Sequence, residues 1–178
     1  MPRCVNLTSV AMRQQAWAMS PACWGFLSLR CITIFLPEEI LKYAVTRAQD
    51  ALDGVVDKAE ASDASPGEKV RALIYGSIEV LCADQESVTL LLRLRGNSEL
   101  EMRALQRRRE FTRRVIPLID AAQASGEIRS DLDTGVLTRL MFGTVNSVIE
   151  WYETGGRLSP DEIARHAVVL LFNGAAQG

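Results

Sequence analysis

The chain has 178 residues, of which 48% are hydrophobic and 24% charged, and its formal net charge is −2. These values exclude an intrinsically disordered chain, and they give no global basic field for nucleic acid. One histidine, His166, and four cysteines without a C-x-x-C pair argue against a metal site and a disulfide framework. The apolar run 26–37 is too short for a membrane span of roughly 20 residues. We therefore expect a cytoplasmic protein with no metal, cofactor or membrane partner.

Beyond Glu38, apolar residues recur at three- and four-residue steps and no strand-like alternation is present, which predicts an all-α fold. Serine followed three residues later by glutamate marks three helix starts, at Ser65, Ser98 and Ser159. Pro117 is expected to kink the long helix that Gly126 ends. The predicted helices are 38–60, 66–83, 86–95, 99–125, a helix capped by Ser130 or Asp131 that runs to about 153, and 160–174.

The last two predicted helices are apolar on more than one face, whereas a surface helix normally shows a single apolar stripe. Pairing them with their copies in a two-fold dimer would bury these faces in a four-helix bundle. The alternative is that both helices are central in a monomer core. The predicted dimer interface consists of Met141, Thr144, Val145, Val148, Tyr152, His166, Val169, Leu170 and Phe172.

Three segments of the chain resemble TetR/AcrR-family transcriptional regulators. Residues 126–133 are similar to the family's G-x-I-R-x-D-L-D turn, residues 146–159 to its N-x-x-x-x-W-Y-x-x-x-G-x-L-S segment, and residues 171–174 to its closing L-x-x-G. The resemblance implies that 38–178 is an all-α, TetR-like effector-binding and dimerisation domain. It also implies a repressor that is not an enzyme and has no catalytic residues, whose amino-terminal helix-turn-helix binds operator DNA.

Residues 1–37 depart from the family pattern. The family's reading helix usually ends in a string such as Leu-Tyr-His-His-Phe-Pro-Ser-Lys, but this chain has an apolar stretch before Glu38. A shifted reading frame of the codons permits such a string, so 14–37 is interpreted as out-of-frame translation, and a genuine divergent amino terminus is the alternative. We predict a degenerate helix-turn-helix remnant over 1–37 and no specific DNA binding, because a reading helix needs polar and basic side chains. Operator DNA is a partner only with an intact motif.

Arg108 interrupts the apolar stripe of the long helix, and an unpaired buried charge is costly. It is predicted either to hold an anionic group of a small acidic or acyl-type effector, or to form an internal ion pair with Glu79 or Glu150, or to snorkel. The predicted effector-binding residues are Arg108, Thr112, Phe111, Met102, Tyr75 and Trp151. The alternative for Trp151, Tyr75, Met102 and Phe111 is that they belong to the plain hydrophobic core. The alternative functions are an inert regulator fragment that only dimerises and a small helical ligand-binding protein or enzyme.

Overall fold

A computed structural model describes residues 38–174 of the chain. No strand occurs in this range, which confirms the all-α prediction, and the expectations for residues 1–37 lie outside the described residues. None of the helices in this range is long and apolar enough to cross a membrane. The helices are α1 Glu38–Ala61, α2 Pro66–Ala83, α3 Gln85–Arg93, α4 Glu99–Ala124, α5 Thr134–Ser147 and α6 Pro160–Asn173, with a 3-10 turn at Val148–Glu150.

The predicted serine caps start three of these helices. The hydroxyl of Ser65 accepts from the backbone N–H of Glu68 at 3.3 Å, and that of Ser98 accepts from the N–H of Glu101 at 3.2 Å. Ser159 forms a full capping box at the start of α6. Each cap satisfies one of the amide donors that the first turn of a helix leaves without a partner. Local sequence signals therefore determine where α2, α4 and α6 begin.

The start of α5 differs from the prediction. Asp133 is the cap, because its carboxylate accepts from the N–H of Val136 at 2.9 Å. The alternative Asp131 is paired with Arg129 instead, through two nitrogen–oxygen contacts of 2.6 Å. That pairing lowers the pKa of Asp131, since the guanidinium stabilises its charged form. Ser130, the other residue predicted as the cap, is exposed and does not cap α5.

Two further helix predictions are also corrected. α3 ends at Arg93 rather than residue 95, because Leu94 already has an extended backbone with ψ of 140°. α5 ends at Ser147 rather than near 153, where the chain tightens into the 3-10 turn. The side-chain amide of Gln85 donates to the carbonyl oxygens beyond that point, at 3.3 and 3.1 Å. α4 is one continuous α-helix with Pro117 inside it, and the kink expected at Pro117 stays a prediction.

The turn between α4 and α5 is tied to the rest of the domain by side chains. Gly126 has a φ of 76°, in the left-handed region that suits glycine. The carboxylate of Glu127 accepts from the hydroxyl of Ser65 at 2.6 Å, which connects the turn to the start of α2. The amide of Gln123 donates to the carbonyl oxygens of Arg129 and Leu132 at 2.9 and 3.0 Å. These contacts fix where α5 leaves the turn.

The core is centred on α2, which packs against α3, α4, α5 and α6. Burial of the aliphatic side chains of this core drives folding, at roughly 1.5–3 kcal/mol for each large side chain. α4 adds Val115, Ile119 and Ala122, all at 0% exposure. The buried aliphatic residues of α2 are Val70, Leu73, Ile74, Ile78 and Leu81.

α1 and α4 run parallel and are joined by two repeats of the same ion-pair arrangement. Arg107 contacts Asp50 and Asp53, each at 2.6 Å. Seven residues later, Arg114 contacts Asp57 and Glu60 at 2.6 and 2.5 Å. Because seven residues make close to two helical turns, both clusters lie along the same side of α4.

Candidate functional site

A cavity of about 340 Å³ lies between α1, α2, α3, α4 and α5. Its volume is within the range of roughly 300–1,000 Å³ that is usual for small-molecule sites. Most of its wall is apolar, and Phe111 and Phe142 meet there edge to face with ring centroids 5.4 Å apart. The apolar lining residues are Leu52, Leu81, Val88, Leu91, Leu92, Phe111, Phe142 and Val145. The cavity therefore suits a ligand with an apolar body.

Three arginines line the cavity, and they differ in their pairing. Arg107 is engaged by two carboxylates of α1, and one of them, Asp53, also lines the cavity. Arg108 and Arg139 are exposed, and neither takes part in an ion pair among residues 38–174. They therefore lie where the cavity opens to solvent, with both guanidinium groups available to an anion.

The burial predicted for Arg108 is wrong. Arg108 is exposed, and of the two carboxylates predicted as its partners, Glu150 lies 3.5 Å from Arg93 instead. The apolar stripe of α4 is interrupted at Arg108 because the helix there faces the open cavity rather than a packed neighbour. The guanidinium therefore keeps its hydration and needs no internal partner.

A second set of polar side chains lines the cavity from buried positions. Ser77 of α2 is 2% exposed, Thr138 of α5 is 1% exposed and Gln49 of α1 is 7% exposed. The amide of Gln49 donates to the carbonyl oxygen of Ala104 at 2.8 Å, and the hydroxyl of Thr138 donates to the backbone carbonyl oxygen of Thr134 at 2.7 Å. The inner wall is thus apolar with a few polar groups.

Three of the six residues predicted for the effector line this cavity, namely Arg108, Phe111 and Thr112. Met102 and Trp151 are exposed at 56% and 53%, and neither lines it. Tyr75 is half-buried and does not line the cavity. It is two residues from Ser77 on α2, which rotates its side chain by about 200° around the helix axis, away from the side that Ser77 occupies. Met102 is likewise six residues from Arg108, on another side of α4, and Trp151 lies beyond the end of α5.

Sequence reasoning missed several lining residues, above all Ser77, Gln49, Thr138 and Arg139. Ser77 does interrupt the apolar stripe of α2, as Arg108 interrupts that of α4. A small polar residue within such a stripe is a weak signal, because serine is common in helices. Arg139 carried no signal of its own, since an arginine beside an apolar stripe is usual on a surface helix.

The outer faces of α5 and α6, together with Trp151 just beyond α5, expose large apolar side chains, but only some of these were predicted. Val136, Leu140 and Trp151 are exposed at 46%, 59% and 53%, and Val169 and Leu170 at 54% and 46%. His166 is also exposed, and Thr144 and Phe172 are half-buried. Four predicted interface residues instead pack into their own subunit's core, because they face α2 and its neighbours: Met141, Val145, Val148 and Tyr152.

Phe172 has a partner within the domain. The guanidinium carbon of Arg71 lies 3.8 Å from the centre of its ring, which is a cation–π contact between α2 and α6. This contact holds the carboxyl-terminal turn of α6 against α2. The side of α6 that carries Val169 and Leu170 stays uncovered.

The described residues form an all-α domain built around a cavity of the size usual for small-molecule sites. Residues 63–175 match the family described as "Tetracyclin repressor-like, C-terminal domain". A TetR-family transcriptional regulator of Streptomyces coelicolor A3 is 36% identical with a TM-score of 0.73, over 95% of this chain and 83% of that one. The chain therefore belongs to the TetR family of transcriptional regulators, which confirms the predicted resemblance.

Two further solved structures are similar. A TetR/AcrR-family regulator of Thermobifida fusca is 28% identical with a TM-score of 0.70, over 83% of this chain and 80% of that one. The regulator AibR, in complex with isovaleryl coenzyme A and operator DNA, is 23% identical with a TM-score of 0.63, over 76% of this chain and 74% of that one. No curated protein matches this chain significantly.

Among residues 38–174, no cluster of three side chains suited to holding a metal ion is present.

Proposed function

We propose that this chain is the sensing and dimerisation part of a transcriptional repressor whose effector is a small acidic or acyl-type molecule. The observation that carries the proposal is an apolar cavity whose opening has two exposed arginines, Arg108 and Arg139, without carboxylate partners among residues 38–174. The apolar body of the effector enters between α2 and α5, and its anionic group stays at the opening.

The charges around the cavity support an anion rather than a cation. Arg107 is held by two carboxylates, so its charge is neutralised locally. The guanidinium groups of Arg108 and Arg139 remain, and a guanidinium binds carboxylate and phosphate oxygens through a fork of N–H donors. An anion at the opening keeps part of its hydration, which limits the desolvation cost.

One structural relative has been solved with an acyl-type ligand. AibR was solved with isovaleryl coenzyme A, which combines a short branched acyl group with an anionic carrier. At 23% identity that likeness concerns the fold alone, so the proposed class of ligand rests on Arg108 and Arg139 and not on AibR.

Direct binding measurements test the proposal. Straight-chain acids of six, eight and ten carbons should bind by titration calorimetry, whereas the matching alcohols should bind at least about tenfold more weakly. Replacing both Arg108 and Arg139 by Met should remove this preference for the acid. Arg109→Met is the matched control, because Arg109 is exposed on the same helix and does not line the cavity. Equal binding of acid and alcohol throughout the series would refute the proposal.

The exposed apolar faces of α5 and α6 support a dimer built from these helices. Large side chains there would otherwise form an apolar patch in contact with water. Light scattering at micromolar concentration should give twice the mass of one chain, and Leu170→Glu should give a monomer. Met102→Glu is the control, because Met102 is exposed at 56%, against 46% for Leu170, but lies on α4. A stable wild-type monomer would contradict this part of the proposal.

The DNA-binding part of the repressor remains a prediction about residues 1–37. The chain as written is expected not to bind an operator, whereas a chain with a repaired reading frame is expected to bind and to release it on adding effector. Nanomolar operator binding by the present chain at physiological salt would contradict this prediction. The alternatives of an inert fragment and of a small helical ligand-binding protein predict no effector-dependent release.

A further inference from the structure

One polar atom in the cavity wall has no partner in the described part of the chain. The hydroxyl oxygen of Ser77 is buried and makes no hydrogen bond there, although Ser77 lines the cavity at 2% exposure. Most serines inside helices bond back to a carbonyl of the preceding turn, as the hydroxyl of Thr138 does at 2.7 Å. A buried hydroxyl without a partner costs free energy, and a purely apolar ligand would leave it unsatisfied.

The other buried polar side chains of the cavity retain hydrogen-bonding capacity. Gln49 donates one N–H to the carbonyl oxygen of Ala104, and no bond to its own side-chain oxygen is present within residues 38–174. Thr138 has its hydroxyl proton committed but can still accept. The inner wall therefore offers both a donor, at Ser77, and acceptors.

These groups differ in depth from the arginines. Arg108 and Arg139 are exposed, whereas Ser77, Gln49 and Thr138 are all below 9% exposure in the same cavity. A ligand whose anionic group stays at the opening must therefore bring another part of its body to the polar groups inside.

We propose that the effector carries a hydroxyl group on its apolar body, remote from its anionic group, and that this hydroxyl hydrogen-bonds to Ser77. A hydroxyl fits better than a purely accepting group, because it can accept from Ser77 and also donate to an acceptor of the inner wall. The ligand class is thus a hydroxylated acyl acid rather than a plain fatty acid. This inference rests on the proposed acidic effector and adds what the buried end of the cavity recognises.

The test compares plain straight-chain acids of six, eight and ten carbons with the acids that carry a hydroxyl at the opposite end. The wild-type protein should bind at least one hydroxy acid about tenfold more tightly than the plain acid of equal length. Ser77→Ala should remove that preference while the variant stays folded, since the Cβ atom and the wall are kept. Ser87→Ala is the matched control, because Ser87 is also a buried serine but lies outside the cavity lining.

The outcomes separate this inference from the proposed function. If no acid binds with or without a hydroxyl, the acidic effector itself is refuted, and this inference with it. If plain acids bind and no hydroxy acid binds more tightly, this inference alone is overturned. If the preference persists in Ser77→Ala, Ser77 is not the residue that recognises the hydroxyl. A urea-unfolding midpoint close to that of the wild type shows that the variant is folded.

Discussion

A single carboxylate organises the loop that leads from α3 into α4. One oxygen of Glu101 accepts from the backbone N–H groups of Arg95, Gly96 and Asn97, at 3.0, 2.8 and 3.0 Å. The residue is only 7% exposed. Burial raises the pKa of the Glu101 carboxyl, but the three N–H donors more than offset it, so the pKa is lowered from its ordinary value. Glu101→Gln tests what this charge contributes.

The expected cost follows from the strength of the hydrogen bonds. The amide oxygen of glutamine can still accept, but bonds to a charged acceptor are about twice as strong as neutral ones. A charged bond contributes roughly 1.5–3 kcal/mol and a neutral one roughly 0.5–1.5 kcal/mol. Because the three donors share one oxygen, the loss is smaller than three times the difference between a charged and a neutral hydrogen bond. We expect the free energy of unfolding to fall by about 2 kcal/mol. That corresponds to a melting temperature lower by about 4–8 °C for a chain of this size.

The assay is urea unfolding at a fixed protein concentration, since dimer formation makes stability depend on concentration. Glu99→Gln is the matched control, because Glu99 is exposed on the same helix turn and, among residues 38–174, pairs only with Arg103. We expect that control to cost less than about 0.5 kcal/mol. A Glu101→Gln variant as stable as the control would refute the argument.

The pH dependence gives a second readout. A folded-state pKa below the unfolded value means that the unfolded chain binds more protons as the solution is acidified. The stabilisation by Glu101 is therefore complete above the ordinary glutamate pKa of about 4.3 and is lost as pH falls through the lowered value. The difference in stability between wild type and Glu101→Gln should shrink in acid, and a constant difference would contradict the assignment.

Three further substitutions test packing and the turn. Gly54→Ala should raise the free energy of unfolding by about 1 kcal/mol in urea melts, because an added Cβ meets nothing within 4 Å in mid-helix. Gly76→Ala should lower it by about 1 kcal/mol, because the added Cβ would lie 2.8 Å from Cγ1 of Val55; effects of the same sign would refute this pair. Gln123→Leu should lower it by about 2 kcal/mol and speed amide hydrogen exchange over 126–133, since two carbonyl oxygens lose a donor. Unchanged exchange there would show that Gln123 does not hold the turn.

The sequence was informative where the physics is local. Ser65, Ser98 and Ser159 marked helix starts correctly because a cap involves residues only three apart. The start of α5 could not be read in this way, because Asp131 and Asp133 are both good caps. The choice between them depends on Arg129, which pairs with Asp131 in the folded turn.

The candidate site was harder to predict, because a cavity is a place where packing is missing. Periodicity identified the side of α4 that faces inward, and Arg108 was expected to be buried for that reason. It is exposed because the inward side opens into the cavity at that point. In the same way, periodicity predicted two apolar faces on α5 but not which one meets α2, and so Met141 and Val148 were assigned to the interface. Only the three-dimensional arrangement of neighbours decides these cases.

The carboxylates of α1 that face α4 recur about once per helical turn, at Asp50, Asp53, Asp57 and Glu60. If α1 moved along α4 by one turn, about 5.4 Å, Arg107 would still meet two carboxylates, those of Asp53 and Asp57. The ion pairs therefore hold α1 beside α4 without fixing a single register along it, and added salt should weaken that hold by screening the charges. Because α1 also forms one wall of the cavity, the position of that wall depends on uncharged contacts such as the hydrogen bond from Gln49 to the carbonyl oxygen of Ala104.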